Sequence, residues 1–213
     1  MKLRSATIGG AAAALTLAVL LASAPLRPAH AESAEAETSA TVHAEHGRVM
    51  GDPDAPVTIV EFASLTCPHC RQFHEQTLPK LKENWIEPGK AKLVYRHYPL
   101  DRPALRGAMV ANCFEGDRFF AVLGMMFENQ GQWARAESPT KALGRIAAAA
   151  GMDGETFESC ANDGQMADAI VEQQLQARRE IGVESTPTFL VDGEKLVGNQ
   201  PYENFVDALQ GAQ

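Results

Sequence analysis

Residues 57–70 read VTIVEFASLTCPHC, an apolar, β-branched run that ends in two cysteines. Such a run is typical of a strand that is buried on both faces. The following residues, 71–85, show the periodicity of a helix, although Pro79 is expected to kink it. The pair Cys67 and Cys70 is therefore predicted to lie where a buried strand gives way to the first turn of a helix.

This position gives the two cysteines different chemistry. The first turn of a helix has unpaired backbone N–H groups and the positive end of the dipole, which stabilise a thiolate. Cys67 stands at the tip and is the candidate exposed nucleophile, whereas Cys70 lies one turn further and is the candidate buried, resolving partner. Between them, Pro68 restrains the loop, and His69 can add positive charge or a hydrogen bond to the thiolate.

Two other interpretations of the motif stay open at this point. Half of a zinc site would need a second, closely spaced ligand pair, and Cys113 and Cys160 lie 47 positions apart. His69 and His74 could contribute ligands, but neither has a partner at ligand spacing, so we expect no metal. A purely structural bridge between Cys67 and Cys70 would close too short a loop to remove much entropy from the unfolded chain.

The rest of the chain divides into a βαβ unit, a helical block and a ββα unit. We expect the helical block at about residues 101–185, inserted between the two halves of one sheet. The predicted strands cover residues 57–65, 92–98, 188–191 and 195–197. The predicted helices after the first cover residues 103–114, 117–129, 139–150, 154–161, 165–181 and 201–209.

The N-terminal segment is predicted to direct export. Lys2 and Arg4 precede an apolar run of about 15 residues, which is shorter than the ~20 that a membrane span needs. We expect residues 1–31 to be a signal peptide that is cleaved after Ala31, although an uncleaved anchor helix is the alternative. Residues 32–46 are polar and predicted to form a flexible leader before a domain at 47–213.

The charge of the chain disfavours some partners. The sequence has 19 basic and 27 acidic residues, for a net charge of −8, and removal of residues 1–31 would make it −11. A chain this acidic has no electrostatic reason to bind nucleic acid or anionic lipid.

The motifs together resemble the thioredoxin superfamily and, within it, the bacterial periplasmic disulfide oxidoreductase A (DsbA) family. The resemblance rests on the strand at 57–65, on CPHC at 67–70, and on TPTF at 186–189, in that order and spacing. It implies an α/β fold: a thioredoxin-like domain with an inserted helical domain.

The resemblance also implies roles for three residues outside CPHC. Pro187 matches the cis-proline of the family, and Thr186 before it would offer backbone hydrogen bonds to a bound peptide. Glu61 matches a buried acid below the second cysteine and would exchange protons with Cys70. The alternative for Glu61 is an acid at the strand end that reaches water. Some strongly oxidising members have valine where this chain has Thr186, which leaves the redox poise open.

The function implied is that of a periplasmic enzyme that introduces disulfides into reduced or unfolded exported proteins through Cys67 and Cys70. A membrane quinone-linked partner would reoxidise the pair, and no bound cofactor is required. A disulfide isomerase or reductase on the same fold is the first alternative. A thioredoxin-like metal carrier or a chaperone is the second.

A second cysteine pair lies within the helical block. Cys113 and Cys160 each end a predicted helix, and a subset of relatives has a structural disulfide there. In an oxidising compartment we expect a bridge between them, whereas two free buried thiols are the alternative.

Overall fold

The structure, a computed structural model, describes residues 47–212, so the predicted signal peptide and leader lie outside the described residues. A five-stranded sheet has the order β1-β3-β2-β4-β5. Strands β2 and β3 are parallel, and every other neighbouring pair is antiparallel. The strands are β1 Arg48–Met50, β2 Val57–Ala63, β3 Ala91–His97, β4 Thr188–Val191 and β5 Glu194–Val197.

Most of the helices lie between β3 and β4, as the α/β fold with a helical insertion requires. None of those in residues 47–212 has the length and apolar content needed to cross a bilayer. The helices are α1 Pro68–Gln72, α2 Leu78–Leu81, α3 Arg102–Asn112, α4 Asp117–Glu128, α5 Gln130–Trp133, α6 Pro139–Ala149, α7 Gly154–Ala161, α8 Gly164–Gln176 and α9 Tyr202–Gly211.

The helix after the CPHC motif accommodates its proline by widening. A π-helical turn, Phe73–Thr77, separates α1 from α2, and Leu78 N–H donates to Phe73 O at its end. Pro79, in the first turn of α2, has no N–H to offer. A second π-helical turn, Lys82–Ile86, follows. The kink expected at Pro79 therefore takes the form of altered hydrogen bonding around it.

The sequence did not predict two short elements. Strand β1 has three residues and pairs with the outer side of β3, and α5 is a single turn. Neither is long enough to display a periodicity of its own. The longer helices and strands begin and end close to the expected residues.

The two faces of β2 pack against different layers, as the alternation of a strand requires. Val57 and Ile59 pack with Phe73, Phe189 and Phe205 on the side of α1 and α9. Val60 and Phe62 pack on the opposite side, with Val183 and Ala177 from the end of the helical segment among their neighbours. Glu61 alternates with Val60 and Phe62, so it points toward the same side as α1.

The helical segment has its own core, and that core reaches the reactive cysteines. Phe119, Trp133 and Leu143 are buried within it together with Leu65, Cys67 and Cys70. The structure joins Cys113, at the end of α3, to Cys160 of α7 by a disulfide with Cα atoms 6.3 Å apart. One apolar cluster therefore supports both the helical segment and the loop that leads into CPHC.

Gly107 of α3 provides a test of this packing. A Cβ atom there would lie 2.9 Å from Leu65 Cδ1 and 3.3 Å from Trp133 Cη2, both in buried side chains, whereas a Cβ at Gly124 of α4 would meet open space. We expect Gly107→Ala to lower the free energy of unfolding by about 1–3 kcal/mol. Gly124→Ala is expected to raise it by roughly 0.5–1 kcal/mol, since alanine is the better helix former. Urea unfolding of both variants in the same redox state measures this, and a stabilised Gly107→Ala would contradict the packing.

Candidate active site

Cys67 is the N-cap residue of α1 and directly precedes its first residue, Pro68. Its backbone is extended, with φ −80° and ψ 121°, and Pro68 follows in the first helical turn. Both cysteines are free thiols in this structure, and both are buried, Cys67 at 6% exposure and Cys70 at 0%. Strand β2 thus places one sulfur at the helix N-terminus and the other in the interior. The expectation that Cys67 is exposed is wrong, because its side chain packs in the apolar cluster of the helical segment and contacts Thr186 O.

The Cys67 thiol lies among groups that favour its ionised form. A hydrogen bond from the Cys70 thiol, followed by the Thr186 side chain and the backbone N–H groups of Cys70 and His69, lowers the pKa of Cys67 from 9.0 to about 5, against the opposing effect of burial. Because folding lowers this pKa, the thiolate stabilises the reduced fold. That contribution is complete above pH 9 and is lost as the pH falls to about 5.

The loop before β4 contacts the same sulfur. The Thr186–Pro187 peptide bond is cis, and Cys67 S–H donates to Thr186 O at 3.2 Å. The Thr186 hydroxyl is buried and makes no hydrogen bond in this dithiol form. It is therefore a donor that becomes useful when Cys67 loses its proton and its sulfur turns into an acceptor.

Cys70 has the opposite electrostatic environment. Burial, above all, raises its pKa well above 9.0, and the Cys67 sulfur and the charge of Glu61 raise it further. One thiol of the pair is thus set to be a thiolate and the other to hold a proton.

Glu61 lies at the centre of this arrangement. It is fully buried at 0% exposure, so the alternative that it reaches water is wrong. Its two carboxylate oxygens lie 3.0 and 3.1 Å from His74 Nε2, whose N–H donates to them. Tyr95, its neighbour on β3, has a pKa raised by burial and by the same carboxylate. The buried acid has one close polar partner in the described contacts, and that partner is His74.

His74 was not among the site residues predicted from the sequence. Its ring stacks on Phe127 of α4, with centroids 4.2 Å apart and planes at 28°. A signal existed in the sequence, because residues i and i+4 share a helix face and His74 is four positions after Cys70. The acid at Glu61 lies across the sheet–helix contact, however, and only the fold brings the two together.

His69 faces outward. Its Nδ1 lies 3.2 Å from Gln72 Oε1, and the residue is exposed. Its backbone N–H is one of the groups that lower the pKa of Cys67, after the larger effects of Cys70 and Thr186. A direct role for its ring stays a prediction.

Gln130 is a second residue that the sequence did not single out. Its side-chain amide donates to Leu65 O and to Cys67 O, both at 2.9 Å, and the side chain is buried. It reaches these carbonyls from α5 of the helical segment, so the turn that presents Cys67 is held from the inserted domain as well as from the sheet.

The described part of the chain contains no group of three or more His, Cys, Asp or Glu side chains placed to hold a metal ion. His74, which the sequence offered as a possible ligand, is engaged with Glu61.

Comparison with known proteins agrees with this geometry. A family model described as thioredoxin matches residues 43–211. The solved structure of alpha-DsbA1 from Wolbachia pipientis is 31% identical, has a TM-score of 0.73, and is matched over 78% of this chain and 90% of that one. The chain belongs to the DsbA family of the thioredoxin superfamily.

Two other comparisons add to the DsbA assignment. A solved structure titled protein-disulfide isomerase, from Novosphingobium aromaticivorans, is 26% identical with a TM-score of 0.68, over 77% of this chain and 95% of that one. A Rickettsia bellii protein, whose name refers to a protein-disulfide oxidoreductase, is 27% identical over 70% of this chain. The chain spans only 58% of the length of that relative.

The Thr186 hydroxyl provides a test of the thiolate environment. We expect Thr186→Val to raise the pKa of Cys67 by up to about 1 unit, because the thiolate loses a hydrogen-bond donor. The pH dependence of iodoacetamide alkylation and of thiolate ultraviolet absorbance measures the shift. Thr188→Val is the matched control, since the Thr188 hydroxyl donates to Ser185 O at 2.8 Å. Equal alkylation midpoints in both variants would contradict the assignment.

The Glu61–His74 contact provides a stability test. His74→Leu leaves a buried carboxylate without its partner and is expected to lower the free energy of unfolding by about 3 kcal/mol. His74→Gln keeps an N–H donor and should lose less. The exposed variant His69→Gln should stay within about 0.5 kcal/mol of the parent. Denaturant unfolding separates these outcomes, and a His74→Leu protein as stable as His69→Gln would refute the pairing.

Proposed function

We propose that this protein is a thiol–disulfide oxidoreductase that introduces disulfides into other proteins. The observation that carries the proposal is the position of Cys67 at the N-terminus of α1, 3.2 Å from Thr186 O, with Cys70 fully buried behind it. This arrangement lowers the pKa of Cys67 to about 5 and raises that of Cys70. A stabilised thiolate favours the reduced enzyme, so the oxidised enzyme gives up its disulfide readily. Low pKa at the attacked sulfur is a property of strong oxidants in this family of reactions.

In the first step, a substrate thiolate attacks Cys67 Sγ of the oxidised enzyme. A bond forms between the two proteins, the Cys67–Cys70 bond breaks, and Cys70 leaves as a thiolate. Because burial raises the pKa of Cys70, this sulfur takes up a proton at neutral pH. Glu61, whose charge acts on Cys70, is the proposed group for that proton exchange, and His74 holds its carboxylate in place.

In the second step, another thiolate of the substrate attacks its own sulfur in the mixed disulfide. Cys67 then leaves as a thiolate, which the helix N-terminus and the Thr186 hydroxyl stabilise. The substrate loses two electrons and two protons to become a disulfide. The enzyme gains the two electrons and one proton, which Cys70 holds, and the other proton goes to solvent because Cys67 leaves as a thiolate. The Thr186 carbonyl contacts the Cys67 sulfur, and Thr186 and Pro187 are the proposed contacts for the substrate backbone.

The substrates we propose are reduced or unfolded exported proteins, and the compartment is the periplasm, reached by the signal peptide at residues 1–31. Return of the dithiol to the disulfide requires an oxidant, and we propose a quinone-linked membrane protein. Cys113 and Cys160 serve as a structural bridge in this scheme. A loop of that size gives about 4 kcal/mol in the chain-entropy model.

An isomerase or reductase is the second candidate, and two observations favour it. Thr186 stands where some strongly oxidising members of the family have valine, and the Novosphingobium relative carries the name of an isomerase. The two candidates share every step at Cys67 and differ in the redox potential of the pair.

Equilibration of the protein with glutathione buffers distinguishes the candidates. An oxidase should show a midpoint less negative than about −180 mV, whereas a midpoint near about −270 mV, the value of thioredoxin, would support a reductase. In a dithiol-oxidation assay on a reduced, unfolded protein, Cys67→Ser should fall to the uncatalysed rate. The double variant Cys113→Ala/Cys160→Ala is the control and should keep turnover. Activity in Cys67→Ser would refute the proposed chemistry.

A further inference from the structure

A small pocket lies directly beside the reactive turn, and its lining includes Thr66 and Pro68, the residues on either side of Cys67. Arg71 of α1, Gln130 of α5 and Arg135 complete its polar wall. The pocket therefore lies between the CPHC helix and the helical segment, whereas Thr186 approaches Cys67 from the loop before β4. A chain that reaches Cys67 over this turn meets the pocket within a residue or two of its own cysteine.

The charged residues that line this pocket are all basic. Two of its lining residues, Arg71 and Arg135, carry guanidinium groups, and none is acidic. Two carboxylates outside the lining lie close to its residues. Asp101 accepts from Thr66 Oγ1 at 2.9 Å and from Ala104 N at 2.8 Å, and Glu75 lies 3.7 Å from Arg71 Nε.

Arg71 retains capacity to bind an anion. Its Nε atom is shielded from solvent and has no hydrogen-bond partner at normal distance, since 3.7 Å to Glu75 is too long for one. A guanidinium group offers five N–H donors in a fork that fits a carboxylate. Arg135 is exposed, so its side chain is free to close over a bound group.

The pocket has a volume of about 280 Å³. Pockets for small-molecule ligands usually exceed about 300 Å³, so this one suits a single side chain better than a cofactor. The positive charge of the pocket lining is also opposite to the net charge of the whole molecule, which is −8. The general field of the protein repels anions, and only a local site can reverse that preference next to Cys67.

We propose that this pocket binds an acidic side chain of the substrate polypeptide adjacent to its reactive cysteine. The proposal rests on the proposed attack of a substrate thiolate on Cys67 and adds a substrate preference to it. The carboxylate stays unchanged throughout, and its ion pair with Arg71 and Arg135 holds the neighbouring thiolate against Cys67 Sγ. Peptides with Glu or Asp next to cysteine should therefore form the mixed disulfide faster than peptides with Gln or Lys there.

The test measures the rate at which peptides open the Cys67–Cys70 disulfide of the oxidised full chain. Three peptides differ only in the residue after cysteine, which is Glu, Gln or Lys, and each rate is corrected for its thiolate fraction. Mercaptoethanesulfonate, mercaptoethanol and cysteamine repeat the comparison without a peptide backbone. We expect Glu to exceed Gln by about two- to fivefold at low salt, since exposed ion pairs are weak, and Lys to be slowest.

The variant Arg135→Gln should reduce the Glu-to-Gln ratio toward one. Lys90→Gln is the matched control, because it removes the same charge from an exposed residue. Lys90 precedes β3, at the end of the parallel strands opposite Cys67. This control should keep the ratio of the parent. Salt should reduce the preference in the parent and have little effect on it in Arg135→Gln.

Two outcomes would overturn the proposal. One is a faster reaction with the Lys peptide and cysteamine than with the Glu peptide and mercaptoethanesulfonate. That order is expected if only the negative net charge of the protein matters. The other is an equal loss of preference in Arg135→Gln and Lys90→Gln. Both leave the proposed function standing, because the Gln peptide and mercaptoethanol still open the disulfide. If these neutral thiols fail to react, the proposed function itself fails.

Discussion

The structure depends on how one sulfur atom is held at the start of a helix. Cys67 Sγ contacts the carbonyl of Thr186, its own carbonyl accepts from Gln130, and backbone N–H groups of the first turn face it. Each contact comes from a different part of the fold: the cis-proline loop, the helical segment, and α1. Because β4 lies next to β2 in the sheet, the cis-proline loop before β4 lies beside the turn after β2 that carries Cys67.

The burial of Cys70 and Glu61 is the other half of the same arrangement. An isolated charge in an apolar interior is costly, and the fold answers this by placing a histidine against the carboxylate and an aromatic ring against the histidine. The protein thereby keeps the ionisable side chain of Glu61 near the cysteine pair while its core stays closed to water. Two positive groups, Arg71 on α1 and Arg135 after α5, instead line the pocket beside Cys67.

Local sequence patterns predicted the fold class and the reactive cysteines. The site residues that they missed depend on contacts between residues far apart in the sequence. The β-branched run, the CPHC spacing and the turn before TPTF are each visible in a few consecutive residues, and they were sufficient for the fold class and the two cysteines. His74 and Gln130 act through partners that lie 13 and 63 or more positions away, and no periodicity reveals such pairs. The short strand β1 was missed for a different reason, because three residues are too few to show alternation.

The contacts of Cys67 also determine when the chain becomes reactive. Thr186 lies 119 positions from Cys67, so its contribution to the lowered pKa of Cys67 requires almost the whole domain to be made and folded. An unfolded chain carries a thiol with a pKa near 9.0, which is largely protonated and sluggish at neutral pH. The thiolate fraction of Cys67 at neutral pH therefore increases as the domain folds.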